Sequence, residues 1–394
     1  MSSSQNKLTP RDWSIVIQIS CMFSFSYNLG AVMASRQAQG QESLSVGFAY
    51  ILMSLATLLI GVVGPSLQLI GSPILLRVST FCAALGITSV GMAQNRSMLI
   101  ISLVLAGAGG STFVSLLSAN FATRGNGLRS VLMVHGYSAI PAIGFPALYS
   151  VSIWLEIPGA VVHLLLGTVL LTGHLFVAQT STSSVGYVRP RRRSQPLPRQ
   201  FWIACSLILL GGIIEVGTAS WIGIVVRNRT ESREYILPIA VLSVLVGLAI
   251  MRILLSRVET RPSLVYRLSL MASVPSVLVI TFSQQVVVSL AASVIFGMCV
   301  AVCFPFSFAS CIKFGSENVD KSTFRTMLAS GSVGILGPSI FGLSRHFVGD
   351  DFILLTAIPF AFAALIIGSH SSIREVLAVA ADGEVVVNSQ EITS

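Results

Sequence analysis

From Trp13 almost to His370 the chain repeats one pattern: a long uncharged, apolar stretch, a short polar break, then another apolar stretch. Each stretch is close to the roughly 20 residues an α-helix needs to cross the hydrocarbon core of a bilayer. The pattern predicts twelve spans, over residues 13–34, 44–64, 74–93, 97–121, 130–152, 157–178, 201–225, 235–255, 263–283, 285–309, 323–344 and 351–370. A membrane β-barrel would instead show short segments of alternating polarity, and none is visible. The expected fold class is an all-α polytopic membrane protein.

The strongest polar interruption is the Ser/Thr and Arg/Pro stretch over 179–200, which cannot bury enough apolar surface to fold. It divides the spans six and six. The expected organisation is a six-helix bundle over 1–178, a basic linker over 179–200, a second bundle over 201–372 and a tail over 373–394.

Charged residues make up only 10% of the chain, and the net charge is +9. An even number of spans puts both termini on one side. Of the 24 Lys and Arg residues, eighteen are counted on the side of the termini, Arg252 among them, and six (Arg36, Arg96, Arg227, Arg229, Arg233 and Arg345) on the other. Basic loops stay in the cytoplasm, so both termini are expected there, in a plasma (inner) membrane. The basic excess then reflects topology and contact with anionic lipid headgroups, and no nucleic-acid partner is expected. The run Arg189-Pro190-Arg191-Arg192-Arg193 is read as a cytoplasmic anchor.

The N-terminal apolar run is too long for a cleaved signal sequence, so it is expected to remain as the first span. The six cysteines fall in or at the edges of spans and are expected to pack as small apolar residues. No metal or cofactor set accompanies them. Asn95-Arg96-Ser97 and Asn228-Arg229-Thr230 match the glycosylation acceptor pattern.

The two halves echo each other. Span 5 runs from Arg129 through His135 and Gly136 to Pro141, Gly144 and Pro146; span 11 runs from Arg325 through Gly331 and Gly334 to Pro338 and Gly342. Gly and Pro at matching places in two halves suit a duplicated transporter.

Twelve spans, the six-plus-six division, a basic central loop and inward termini resemble the major facilitator superfamily over essentially the whole length. That family's signature between spans 2 and 3 corresponds to Gly64-Pro65-Ser66-Leu67-Gln68-Leu69-Ile70-Gly71-Ser72-Pro73. Both glycines match, but Gln68 replaces the acid, and Leu69, Ser72 and Pro73 replace the bases. The second half is similar to the branch of fucose and glucose symporters, through Gly212, Glu215 and Trp221, then Gly297 with Phe304-Pro305, then Arg325, Gly331-Ser332-Val333-Gly334, Pro338 and Gly342. The resemblance implies a central cavity lined by spans 1, 4, 7 and 10, with 5 and 11 alongside. A membrane acid expected in span 1 or 4 of such symporters is missing. Span 1 offers Gln18, Tyr27 and Asn28 instead, and span 4 offers Ser111, Ser115 and Asn120.

Glu215 is the one acid deep inside a span. A carboxylate at that depth costs about 2.5–3.5 kcal/mol even on the lenient insertion scale, and such groups mark substrate, ion or proton sites. The alternative is a structural hydrogen bond to a neighbouring helix. Thr218 and Trp221 follow at intervals of three and are expected on the face of Glu215, where hydroxyl and indole would complete a solute site. Trp221 serves equally well as part of an outer aromatic belt. The candidate substrate-binding residues are therefore Tyr27, Asn28, Asn120, Tyr137, Glu215, Thr218 and Trp221. Glu215 and His135 are the candidates for carrying a coupled proton, since imidazole ordinarily titrates near neutrality. His163 is expected to be peripheral, and Arg325 is expected to anchor the inner end of span 11.

No zinc-helix pattern, phosphate loop or nucleophile elbow is present to suggest an enzyme. No carbonyl filter or charged ring suggests a channel. The expectation is a monomeric secondary transporter for a small polar organic solute, sugar-like by resemblance, with protons as a candidate partner. Export of an amphipathic metabolite or drug is the alternative, and a transport-inactive sensor or assembly subunit is the alternative of another class.

Overall fold

A computed structural model of the chain describes residues 8–67, 73–122, 127–180, 196–258, 261–316 and 319–368. The Arg189–Arg193 run, the tail over 373–394 and residues 68–72 of the loop between the second and third spans lie outside the described residues.

The helices are α1 (Pro10–Ala38), α2 (Val46–Leu67), α3 (Pro73–Met92), α4 (Arg96–Ala122), α5 (Gly127–Ala142), α6 (Gly144–Trp154), α7 (Gly159–Thr180), α8 (Arg199–Arg229), α9 (Ile236–Arg257), α10 (Pro262–Phe282), α11 (Val286–Val300), α12 (Cys303–Phe314), α13 (Val319–Val348) and α14 (Ala357–Gly368). Ten stretches are long and apolar enough to cross a membrane, and α7 and α14 contribute two shorter apolar ones. Two of the ten are each built from a pair of helices, α5 with α6 and α11 with α12. The result is twelve crossings, as the hydropathy pattern predicts.

Local chemistry sets the ends and the breaks. Helix α1 starts at Pro10, with Thr9 and Asp12 forming a reciprocal capping box. Asn95, in the first glycosylation pattern, caps α4 by accepting from the Met98 N–H at 2.8 Å. Helix α5 ends at Ala142, four residues before Pro146, and the interruption between α11 and α12 begins at Ala301, four residues before Pro305. A proline has no N–H to give to the carbonyl four residues back, so the ladder opens there. Pro338 lies inside α13, which continues through it. The echo between spans 5 and 11 therefore does not extend to their backbone paths.

The outer surface is apolar. Leu59, Ile74, Phe81, Met271 and Ile366 are exposed, a distribution that fits acyl chains rather than water. Inside, hydroxyls bond back to their own helices: Ser102 to Met98, Thr112 to Ala108, Ser293 to Ser289. That removes most of the cost of burying them. Glycines bring the crossings close. A Cβ on Gly107 of α4 would collide with the Met53 carbonyl of α2, and one on Gly297 of α11 with the Val244 carbonyl of α9. The second and fourth crossings of each half thus pack by the same device.

Arg36 is buried at the end of α1 opposite its start. It donates from Nε to the Glu42 carbonyl at 2.8 Å, from Nη1 to Val90 at 3.2 Å and from Nη2 to Ala93 at 2.6 Å. It so caps the C-terminus of α3, where cations are favoured. The halves meet chiefly through α2 against α13, α5 against α9 and α1 against α8.

Candidate functional site

A cavity of about 200 Å³ lies where those helices converge. Helix α1 supplies Phe23, Ser26 and Tyr27; α2 supplies Tyr50, Ser54 and Thr57; α4 supplies Ser111 and Ser115; α8 supplies Glu215; α9 supplies Arg252; α12 supplies Phe304; and α13 supplies Ser330. Both halves contribute, and the hydroxyls are interspersed with apolar side chains such as Met22, Met53, Val114, Ile208 and Val333. Thr57 donates to Ser111 across 2.7 Å, and the Tyr50 hydroxyl donates to the Ser26 carbonyl at 2.6 Å.

Glu215 does not stand alone. Arg252 Nη2 lies 3.0 Å from its Oε1, with both side chains at most 3% exposed. The Tyr27 hydroxyl from the other half donates to the same oxygen. Arg252 is fixed from behind: its Nε donates to the Ala301 carbonyl at 2.9 Å, and its guanidinium lies 5.9 Å from the Phe23 ring centre. Charges inside membrane proteins pair with one another or with backbone carbonyls; Arg252 does both.

This corrects the reading of Arg252 as a cytoplasmic flank. It lies within α9, five residues short of Arg257, and the argument that isolates Glu215 applies equally to it. Moving it out of the loop count leaves seventeen basic residues against six, so the charge asymmetry persists.

The sequence candidates divide. Tyr27 and Glu215 line the cavity and touch each other. Asn28 is buried beside them in sequence, with both amide atoms lacking a partner among the described residues, but does not line the cavity. Thr218 is likewise buried, its hydroxyl without a partner. Asn120 is exposed near the end of α4. Tyr137 lies at the seam between halves on the side where α1 begins, with Arg257 Nη2 donating to its hydroxyl at 3.2 Å and Trp13 edge-on at 5.4 Å.

Trp221 is buried, donating from Nε1 to the Pro338 carbonyl at 3.2 Å. It is neither in an outer belt nor on the face of Glu215. Six residues of α-helix leave two side chains about 120° apart, so Glu215 turns to α1 and Trp221 to α13. His135 is buried between Phe23 and Phe304, at ring distances of 5.2 and 5.3 Å, and shares a 3.0 Å hydrogen bond with Ser118. Gln18 ties α1 to α7 through the Gly173 carbonyl at 3.5 Å. His163 does not line the cavity, and is enclosed by Phe25, Phe145 and Tyr149. Arg325 is half-buried near the start of α13. The hydroxyls of Ser26, Tyr50, Ser54 and Thr57 escape sequence reading because hydroxyls are common in every span.

No family profile matches the chain, and no curated protein matches it by sequence. Solved structures do match. The human organic anion transporter MFSD10 (TETRAN) is 14% identical, with a TM-score of 0.63, covering 92% of this chain and 100% of that one. The Major Facilitator Superfamily transporter FucP in its outward conformation is 13% identical, with a TM-score of 0.64, covering 91% and 99%. A variant of the E. coli fucose:proton symporter FucP is 12% identical, with a TM-score of 0.63, covering 91% and 98%. The chain has the twelve-helix fold of the major facilitator superfamily transporters, as its sequence pattern suggests.

Proposed function

We propose that this protein is a secondary transporter that moves a small polar organic solute by rocking its two halves about the central cavity. One observation carries this reading: the cavity lies at the junction of the halves and is closed by a hydrogen bond from Tyr27 of one half to the Glu215–Arg252 pair of the other. A buried ionic site at a bundle interface is where transporters of this architecture hold solute. The cavity hydroxyls support a polyhydroxylated, sugar-like solute, since each both donates and accepts. The fucose:proton symport named for one structural neighbour accords with that class. Glu215 is the proposed coupling group, and Tyr27 and Arg252 the residues that hold it. We further propose a monomer in the plasma membrane with both termini cytoplasmic, as the basic-residue asymmetry supports.

Uptake and efflux of a labelled solute panel in proteoliposomes tests the reading. Saturable transport that is lost in Arg252→Gln is expected. No transport or binding of any solute would instead favour a sensor or assembly subunit.

A further inference from the structure

Arg252 has a nitrogen to spare. Its Nε and Nη2 are engaged by Ala301 and Glu215, whereas Nη1 is buried without a partner among the described residues. The side chain is 1% exposed and lines the cavity. An unsatisfied buried donor is costly, and a guanidinium presents its nitrogens in a fork that matches a carboxylate. The same cavity is lined from α2 and α4 by Ser54, Thr57, Ser111 and Ser115. The site thus offers one anion-binding group together with hydroxyl-binding groups.

Building on the transport reading above, we infer that the solute is a small hydroxylated carboxylate that docks on Arg252 in place of Glu215, and that Glu215 takes up a proton as it is displaced. Charge balance requires the proton. Arg252 and Glu215 together are neutral, so an added carboxylate leaves one uncompensated negative charge in a buried site, which is strongly unfavourable. A proton taken by Glu215 from water on the open side restores neutrality and is released on the other side. One anion and one proton cross together, and no net charge moves.

The surroundings leave Glu215 as the group free to change. Tyr27 from α1, Tyr50 from α2 and Ser330 from α13 line the cavity with the pair; His135 of α5 packs on Phe23, whose ring also lies by Arg252, and Cys303 of α12 packs on Gly211, one turn before Glu215. His135 is held by Ser118 between two aromatic rings. Arg252 is anchored on the Ala301 carbonyl through Nε, a nitrogen that Glu215 does not use.

The full-length protein is tested with glycerate, gluconate and glucuronate, each against a neutral counterpart (glycerol, sorbitol and glucose). At least one carboxylate, and no neutral polyol, should raise the melting temperature. In proteoliposomes it should acidify the lumen at a rate indifferent to an imposed membrane potential. Glu215→Gln cannot compete for Arg252, so it should bind that carboxylate about tenfold more tightly at pH 8, with its pH dependence gone. Should that variant not fold, Glu215→Gln combined with Arg252→Gln removes the stranded charge and should lose all stabilisation by the carboxylate. Transport of a neutral polyol and of no carboxylate overturns this inference and leaves the transporter reading standing. Transport of neither class defeats both. Unchanged carboxylate affinity in Glu215→Gln, or retained stabilisation in the double variant, overturns the displacement of Glu215.

Discussion

Arg252 Nε donates to the carbonyl of Ala301 at 2.9 Å, and that carbonyl is free because the residue four positions on is Pro305. The other half uses the same chemistry: Ser24 Oγ donates at 2.6 Å to Ala142, four residues before Pro146. Prolines in membrane helices are tolerated where a neighbouring helix satisfies the carbonyl they orphan. Here the neighbour is in one case Arg252, the cation proposed to hold solute. Pro305 thereby positions Arg252 at the cavity through the Ala301 carbonyl that it leaves free.

Pro305→Ala returns an N–H to the ladder, which then competes for the Ala301 carbonyl. Helix propensity favours the change, so the melting temperature should hold or rise. Losing a hydrogen bond to a charged group removes about 1.5–3 kcal/mol, so solute affinity should fall roughly tenfold. Pro146→Ala, which frees only Ser24, should leave affinity close to that of the parent. Equal affinities for all three proteins, read by titration, would show that Arg252 does not depend on the break.

The seams between halves give opposite predictions. A Cβ on Gly30 of α1 would strike the Ser220 carbonyl of α8, and one on Gly64 of α2 would strike the Phe324 ring of α13. Gly64 lies towards the side where α1 begins and Gly30 towards the other. Gly30→Ala should therefore hold the far seam open, and Gly64→Ala the near one. A single cysteine at Ser54, in a background without the six native cysteines, reports access. It should label from the far side in the first variant and from the terminal side in the second. Labelling from the same side in both would rule out rocking about this cavity.

The fold was largely legible because the bilayer demands a fixed run of apolar residues and hydropathy measures it directly. The ends were less so: α8 and α13 extend past their predicted spans through the basic residues Arg227, Arg229 and Arg345. The site was legible only in depth. Hydropathy identifies Glu215 and Tyr27 as polar groups within spans, but says nothing of the direction each faces or of its partner. Arg252 was missed because a charge five residues from a helix end resembles an anchor in any loop count. Trp221 was misassigned because steps of three drift around the helix.

Orientation is tested independently of the site. Cysteines introduced near Arg192 and near Ser394 should react with membrane-impermeant reagents from the cytoplasmic side alone, and one near Asn228 from the opposite side alone. Twelve crossings require the first two to agree and the third to differ. Reaction of the Arg192 and Asn228 positions from one face would remove a crossing between them and with it the six-plus-six arrangement.

The final test separates the ion pair from its setting. Removing one partner of a buried pair strands the other's charge and typically costs about 3–5 kcal/mol, whereas replacing both with neutral groups is close to neutral. Glu215→Gln and Arg252→Gln should each lower the melting temperature, with Arg252→Gln the milder if the Tyr27 hydroxyl still serves Glu215. The double variant should then recover most of the stability lost by the worse single. Transport should be absent in the double variant even so, because the cation proposed to hold the solute is gone. Strictly additive losses in the thermal cycle would mean that the two side chains act independently despite their 3.0 Å separation. A stable double variant that still transports would show that the pair holds the bundle together and takes no part in moving solute.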